Sequence, residues 1–206
     1  MTKMSKERIR KRRLRSLAKA IRILTVAPLI ALIAFTIMLS QGGVFNNTWE
    51  YFHTLLFITI LPLCAYPLQK ILPPFNRKGR KGQRTLAMIM SIMGYLLGVA
   101  YSQAAGASPI LKTIFITYAL SGVSLFIINK LLRFKASGHA CGAAGPLSVI
   151  IYFMGPTAAG ALTLIFGIAL LSATLWSTLK THAHTATQFI IGAIIPIIFF
   201  YTLILL

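Results

Sequence analysis

The sequence contains no aspartate, and its only acidic residues are Glu7 and Glu50. A magnesium or calcium site needs hard oxygen ligands, which are usually carboxylates. Acid–base catalysis by paired carboxylates and a carboxylate proton relay within the membrane need the same residues. The scarcity of acid excludes these three kinds of site. Any titrating chemistry must therefore use histidine, lysine, cysteine or tyrosine.

Cysteine is almost as scarce, with Cys64 and Cys141 alone in the chain. Two such cysteines do not make a disulfide framework. We expect both to behave as small, buried apolar residues.

Apolar residues are abundant: they make up 57% of the 206 residues, and the mean hydropathy is +0.79. This composition indicates a polytopic membrane protein. Seven apolar runs, most of them about 20 residues long, are predicted to span the bilayer. They do not alternate polar and apolar residues as barrel strands do. The predicted fold is an all-α transmembrane bundle of about seven spans: Ile23–Leu39, Tyr51–Leu72, Leu86–Ala105, Ile110–Leu132, Ala140–Phe153, Ala158–Leu179 and Ala186–Leu206.

The basic residues, which give a net charge of +19, are concentrated at one side of this topology. Ten of the 21 precede the first span, and only Lys112 falls on the opposite side. The positive-inside rule then predicts that the protein lies in a plasma or inner membrane with its N-terminus on the cytoplasmic side. We predict a basic arm over residues 1–22, which contacts anionic lipid rather than nucleic acid, and one transmembrane domain over residues 23–206.

Three polar segments are separated by pairs of spans, so the topology brings them to the same, cytoplasmic side. They are Asn76–Arg84, Lys130–His139 and Lys180–His184. Lysine and arginine gather there for insertion reasons alone, but histidine does not follow that rule strongly. Three of the four histidines lie in these segments, which favours a functional site: His139, His182 and His184. His53 lies near the opposite side, and we expect it to be structural.

The stretch around Ser137 suits a phosphate. Ser137, Gly138 and His139 open the short fifth span, where backbone N–H groups, a hydroxyl and nearby cations form a cradle for an anion. The small residues that follow leave room for close approach, or alternatively serve close helix packing. One histidine facing this cradle could attack phosphorus while the other protonates the leaving oxygen, without a metal or cofactor.

The segments "KASGHACG" and "STLKTHAHTATQFIIGAIIP" resemble the type 2 phosphatidic acid phosphatase superfamily, which includes haloperoxidases. The resemblance covers residues 130–196 and implies a six-helix phosphatase-like core plus one N-terminal helix. It implies that His184 is the nucleophile, forming a phosphohistidine, and that His139 is the acid on the leaving group. It also implies that Ser137 and the Gly138 N–H hold phosphate oxygens.

The family carries three signatures: a lysine followed by Arg-Pro, a Pro-Ser-Gly-His, and a Ser-Arg with a histidine six residues after the arginine and an aspartate four beyond. The first is not spelled out in this chain, and the third is altered. Thr178 stands where the family has arginine, and Gln188 stands where it has aspartate. The carbonyl of Gln188, one helical turn past His184, is predicted to accept the Nδ1–H of that histidine. Lys180 or His182 is predicted to replace the missing arginine. The other candidate cations, for the first signature, are Lys130, Arg133 and Lys135 and, in the basic loop, Arg77, Arg80 and Arg84.

The sequence therefore predicts an integral membrane phosphatase. Its substrate would be a lipid phosphate or diphosphate taken from the cytoplasmic leaflet, and the sequence selects neither a particular lipid nor an oligomeric state. One alternative is a catalytically degenerate protein of the same fold that only binds lipid phosphates. Another is a bis-histidine haem or quinone protein of electron transfer, although the histidines lie among cations at helix ends rather than at mid-membrane.

Overall fold

The structure, a computed structural model, describes residues 3–206, with side chains described for residues 7–10 and 12–206. Within that part helices are the only regular secondary structure, which confirms the predicted all-α class. A π-helical segment, Leu56–Ile60, joins the helices Thr48–Leu55 and Leu61–Ile71, and a 3₁₀ turn, Asn76–Lys78, precedes the helix that begins at Gly79. The helices are α1 Lys3–Leu24, α2 Ala27–Gln41, α3 Thr48–Leu55, α4 Leu61–Ile71, α5 Gly79–Ala104, α6 Pro109–Lys130, α7 Gly138–Met154, α8 Ala158–Lys180 and α9 Ala186–Leu205.

The number of candidate membrane spans is smaller than the seven predicted. Within residues 3–206, five helical segments are long and apolar enough to cross a bilayer: Thr48–Ile71, Asn76–Ala104, Pro109–Lys130, Ala158–Lys180 and Ala186–Leu205. A sixth arises if α1 and α2, which meet at a 51° bend, count as one span. The predicted fifth span corresponds to α7, an apolar helix of 17 residues, so a count of seven is not confirmed. The apolar helices nevertheless indicate an integral membrane protein.

Local sequence explains where the helices begin. Proline occupies the first or second position of α2, α4 and α6, where its missing N–H costs nothing. Five N-termini, that of α6 among them, are capped by a side-chain oxygen that accepts a hydrogen bond from the backbone N–H three residues later. The capping residues are Asn47, Ser108, Ser137, Thr157 and Thr185.

The short helix α7 lies in the middle of the bundle and packs against α2, α6, α8 and α9. Ten of its residues are buried, and most of those in its first half are small. A Cβ added to Gly142 would overlap the side chain of Ala27, so the small run does serve close packing of α7 on α2. Gly155, with φ of +59°, ends the helix, so α7 is shorter than α6, α8 and α9.

The basic arm is not separate from the bundle. It forms α1, which continues to Leu24 and packs along α8. The helix breaks at Thr25 and Val26, immediately before Pro28. This break carries the last basic residue of the arm, Arg22, to the end of the bundle where the predicted site residues lie.

Helix α9 makes an unusually close contact with the segment that precedes α7. The N–H of Ser137 donates to the carbonyl oxygen of Gln188 at 2.9 Å. One turn further along α9, a Cβ added to Gly192 would overlap the carbonyl oxygen of Ser137. Gly192 is therefore the residue that allows the start of α9 to lie against Ser137.

We predict that Gly192→Ala lowers stability by about 1–3 kcal/mol, because backbone atoms of Ser137 would have to move. Gly167→Ala is the matched control, since its new Cβ would meet only the ends of the Leu147 and Ile151 side chains, at ordinary distances of 3.4 and 3.7 Å. Thermal unfolding in detergent micelles measures both variants. Equal melting temperatures for the two would show that the contact at Ser137 is not tight.

Candidate functional site

A cavity of about 720 Å³ lies between α2, α4, α5, α6, α7 and α9, within the usual size range of a ligand site. One end is lined by cations, and the other reaches the middle of α6. Seven of the residues predicted from the sequence line it together: Arg80, Arg84, Lys130, Lys135, Gly138, His139 and His184. The topological argument that placed three distant segments at one end of the bundle therefore agrees with the structure.

The ring of His184 is held by two acceptors. Its Nδ1 lies 3.0 Å from the carbonyl oxygen of Lys135 and 3.3 Å from Oε1 of Gln188. Neither oxygen can donate a hydrogen bond, so Nδ1 must carry the proton. Neutral His184 consequently keeps the lone pair on Nε2, the form that a nucleophile requires.

The orientation of the Gln188 amide is fixed independently of the histidine. The backbone N–H of Thr185 donates to Oε1 of Gln188 at 3.2 Å, and the hydroxyl of Thr185 accepts from the Gln188 N–H. This reciprocal pair is a capping box, which requires an oxygen at that position. The predicted contact between Gln188 and His184 is thus present, although Gln188 brings no negative charge to it.

His139 is bonded to a residue outside the predicted site. Its Nε2 lies 2.9 Å from Oγ1 of Thr25, and the Thr25 hydroxyl lies 2.8 Å from the carbonyl oxygen of Ile21. Because that hydroxyl has one proton and gives it to Ile21, it accepts from Nε2–H of His139. Thr25, at the break between α1 and α2, therefore positions the ring of His139.

Both histidines are shifted toward their neutral forms. Burial, then the charges of Arg22 and His184, lower the pKa of His139 to about 4. Burial also lowers the pKa of His184, and its hydrogen bonds to Lys135 and Gln188 oppose that shift. Near neutral pH the site holds two uncharged imidazoles beside a group of fixed cations.

That group of cations has no acidic partner among the cavity-lining residues. Arg80 and Arg84 lie close enough to Arg22 for their charges to repel it, and Arg22 is partly buried. Arg22 also donates to Oγ1 of Thr181 at 3.2 Å. Lys81, Lys130 and Lys135 line the same cavity. Mutual repulsion without a carboxylate favours binding of an anion at this end.

Several predicted phosphate-binding residues do not line the cavity. Ser137 is fully buried, and its hydroxyl accepts from the N–H of Ala140 as the cap of α7. Arg133 and Lys180 are exposed, and His182 is also exposed. Thr178, at the position of the family arginine, is buried away from the cavity. Neither Lys180 nor His182, the residues predicted to replace the missing arginine, therefore lines the cavity.

Sequence reasoning missed Arg22 and Thr25 as site residues. Arg22 looked like one more residue of the basic arm, and nothing in the pattern distinguished it from its neighbours. The available signal was position: Arg22 is the last cation before the first apolar run, and Thr25 precedes Pro28. A proline at that spacing indicates a helix break, which can turn both side chains toward the bundle.

Comparisons with protein-family models, with curated proteins and with solved structures found no match to the chain. The phosphatase resemblance accordingly rests on the two motifs and their spacing. The geometry described above is independent of that resemblance.

We predict that His139 makes the protein less stable in acid. Its pKa is about 4 in the folded state and about 6.5 when unfolded, so between these values the folded state binds fewer protons. The contribution of neutral His139 to the free energy of unfolding is complete above pH 6.5. As the pH falls toward 4, the free energy of unfolding decreases by about 2–3 kcal/mol. Thermal unfolding in detergent across this range should show a shallower loss for His139→Gln than for the wild type. Parallel profiles would contradict the prediction.

Proposed function

We propose that the protein is an integral membrane phosphatase that hydrolyses a lipid phosphate or diphosphate through a phosphohistidine on His184. The observation that carries the proposal is the state of His184. Two carbonyl oxygens hold its Nδ1–H, so Nε2 is left as a lone-pair donor beside a cavity lined by uncompensated cations. A phosphoryl group is the anionic electrophile that such a site would bind and such a nitrogen would attack.

The first step forms a covalent intermediate. Nε2 of His184 attacks phosphorus, and the bond between phosphorus and the lipid oxygen breaks. The leaving oxygen takes a proton from His139, so a neutral lipid alcohol departs when the substrate is a monophosphate. In the second step a water molecule gives a proton to His139, and its oxygen attacks phosphorus. The phosphorus–nitrogen bond breaks, which releases inorganic phosphate and restores both histidines.

His139 can give a proton only after it has been charged. In the empty site its pKa is about 4, because burial and nearby cations disfavour the imidazolium. A bound phosphate adds negative charge beside Arg22, Arg84 and the two histidines. That charge offsets the cations and raises the pKa of His139 toward neutral pH, so substrate binding itself supplies the acid.

Three guanidinium groups bind the phosphate oxygens in this proposal, in place of the signature arginine that the resembled family has and this chain lacks. Arg22, Arg80 and Arg84 line the same end of the cavity and come from two different helices. Planar guanidinium groups can bind phosphate oxygens in pairs, whereas lysine acts as a point charge. The cytoplasmic side is proposed for this end because the positive-inside bias assigns it there.

A second candidate function is binding of lipid phosphates without turnover. Gln188 is uncharged, so the imidazolium that develops on His184 lacks the stabilisation that a carboxylate would give. The cavity and its cations would bind the same ligand in either case. Tight binding of a lipid phosphate by a wild-type protein that releases no phosphate would establish this alternative.

We predict that His184→Ala abolishes phosphate release from lipid phosphates, a loss of at least about 1,000-fold, because the nucleophile is removed. Purified protein would be assayed in detergent with phosphatidic acid, phosphatidylglycerol phosphate and polyprenyl phosphates. Rapid quenching with ³²P-labelled substrate should trap an acid-labile, base-stable phosphoprotein in the wild type only.

The matched control is His182→Ala. His182 is two residues away, exposed and outside the cavity lining, so its removal should leave release within about twofold. Equal rates for wild type and His184→Ala would contradict the proposed nucleophile.

We also predict that Arg22→Gln weakens binding of lipid phosphates by about 10-fold, because a partly buried guanidinium is lost from the anion site. Arg15→Gln is the control, since Arg15 lies on the same helix but is exposed and does not line the cavity. Equilibrium binding of the lipid phosphate measures both. An equal effect of the two substitutions would show that Arg22 acts only through the overall charge of the arm.

A further inference from the structure

The deep part of the cavity contains three hydroxyl groups that have no hydrogen-bond partner among the described residues. They belong to Thr117, Tyr118 and Ser121 on α6, and all three residues line the cavity. Their side chains are 0%, 7% and 4% exposed, so solvent outside the protein does not satisfy them. A buried hydroxyl without a partner is destabilising, which makes three on one helix face a feature that needs a cause.

Other helical hydroxyls in this chain avoid that state by bonding to their own helix. Thr174 donates to the carbonyl oxygen of Leu170 at 2.7 Å, and Ser148 donates to that of Ala144 at 2.8 Å. The same bond one turn back is the usual choice for serine and threonine within a helix. Thr117 and Ser121 do not form it, and both line the cavity. Thr178 is a further unpartnered hydroxyl, but it lies away from the cavity.

The depth of these hydroxyls can be measured along α6 from the level of the histidines. A Cβ on Gly138, next to His139, would lie 4.0 Å from the Leu125 side chain, so the two helices are level there. With a rise of about 1.5 Å per residue, Ser121 lies about 6 Å deeper than Leu125, and Thr117 about 12 Å deeper. A Cβ added to Gly145, about two helical turns past Gly138 on α7, would lie 3.9 Å from the Tyr118 ring.

We propose that Thr117, Tyr118 and Ser121 form a subsite that donates hydrogen bonds to ester carbonyl groups of the bound lipid, and that the ligand is a diacylglycerol phosphate. This inference rests on the proposed function, because it assumes that the phosphate lies at His139 and His184. In such a lipid the two ester carbonyls lie a few bonds beyond the phosphate, and the hydroxyls begin about 6 Å beyond the level of Leu125, so both sets of polar groups lie inward from the phosphate.

A polyprenyl phosphate presents only hydrocarbon at the same depth. Its binding would displace any water from the deep cavity and leave three hydroxyls buried against methylene and methyl groups. A site that hydrogen-bonds a ligand group discriminates strongly against a ligand that lacks it, because the protein's polar groups then remain unpaired. The subsite therefore selects for an ester-linked lipid rather than merely tolerating one.

The test measures equilibrium binding in the His184→Ala background, where turnover cannot consume the ligand. Three probes are compared in the same micelles: a diacylglycerol phosphate, its dialkyl-ether analogue of equal chain length, and a polyprenyl phosphate. We expect the diacyl probe to bind at least about 10-fold more tightly than the other two. The double variant Thr117→Val with Ser121→Ala should reduce that preference to about twofold or less.

Thr174→Val is the matched control, because Thr174 is as buried as Thr117 but bonds its own helix and does not line the cavity. It should leave the preference unchanged. Tyr118→Phe, which removes only a hydroxyl, gives a second measurement if the double variant does not fold. It should also reduce the preference.

The outcomes separate this proposal from the proposed function. Selective binding of the diacyl probe by a protein that never releases phosphate would support the subsite and contradict the phosphatase. Phosphate release from a protein that binds all three probes equally, with or without the hydroxyls, would support the phosphatase and overturn the subsite. Equal binding in that case would mean that water, and not the lipid, forms the hydrogen bonds to the three hydroxyl groups.

Discussion

The site depends on one junction, where the segment before α7 is hydrogen-bonded to the start of α9. Ser137 donates to Gln188, His184 reaches the carbonyl oxygen of Lys135, and Gly192 gives the backbone room to approach. Residues about 50 positions apart in the chain are thereby fixed beside each other. Because the contacts are mostly between backbone atoms, the junction sets the helix positions first. The two histidines then face the same cavity as a consequence.

The second constraint is electrostatic. With almost no acid in the chain, the cations at the basic end of the cavity repel one another and are not neutralised within its lining. Both histidines are shifted toward their neutral forms, which suits His184 as the proposed nucleophile but leaves His139 without the proton that the proposed acid needs. A single event, the arrival of a phosphate, would relieve the repulsion and charge His139. Binding and activation are then the same electrostatic change.

The cavity also shows a division of polar groups by depth. Cations and imidazoles occupy the basic end, and three unpaired hydroxyls occupy the interior. Buried hydroxyls such as those of Ser148 and Thr174, which lie outside the cavity, bond to their own helix instead. A ligand with one anionic end and hydrogen-bond acceptors farther along would match both zones.

The sequence by itself determined the helical membrane class and pointed to the gathering of three polar segments at one end of the bundle. Hydrophobic runs and charge bias are local properties of the sequence, whereas the number of spans read from them is not confirmed. It also indicated the contact of Gln188 with His184, since that pair is one helical turn apart. Only the tertiary structure decided the roles of Arg22 and Thr25, because a break before Pro28 turns them inward. It likewise made Ser137 a buried cap and left Thr117 and Ser121 unpaired, since burial and partners depend on neighbouring helices that no local pattern specifies.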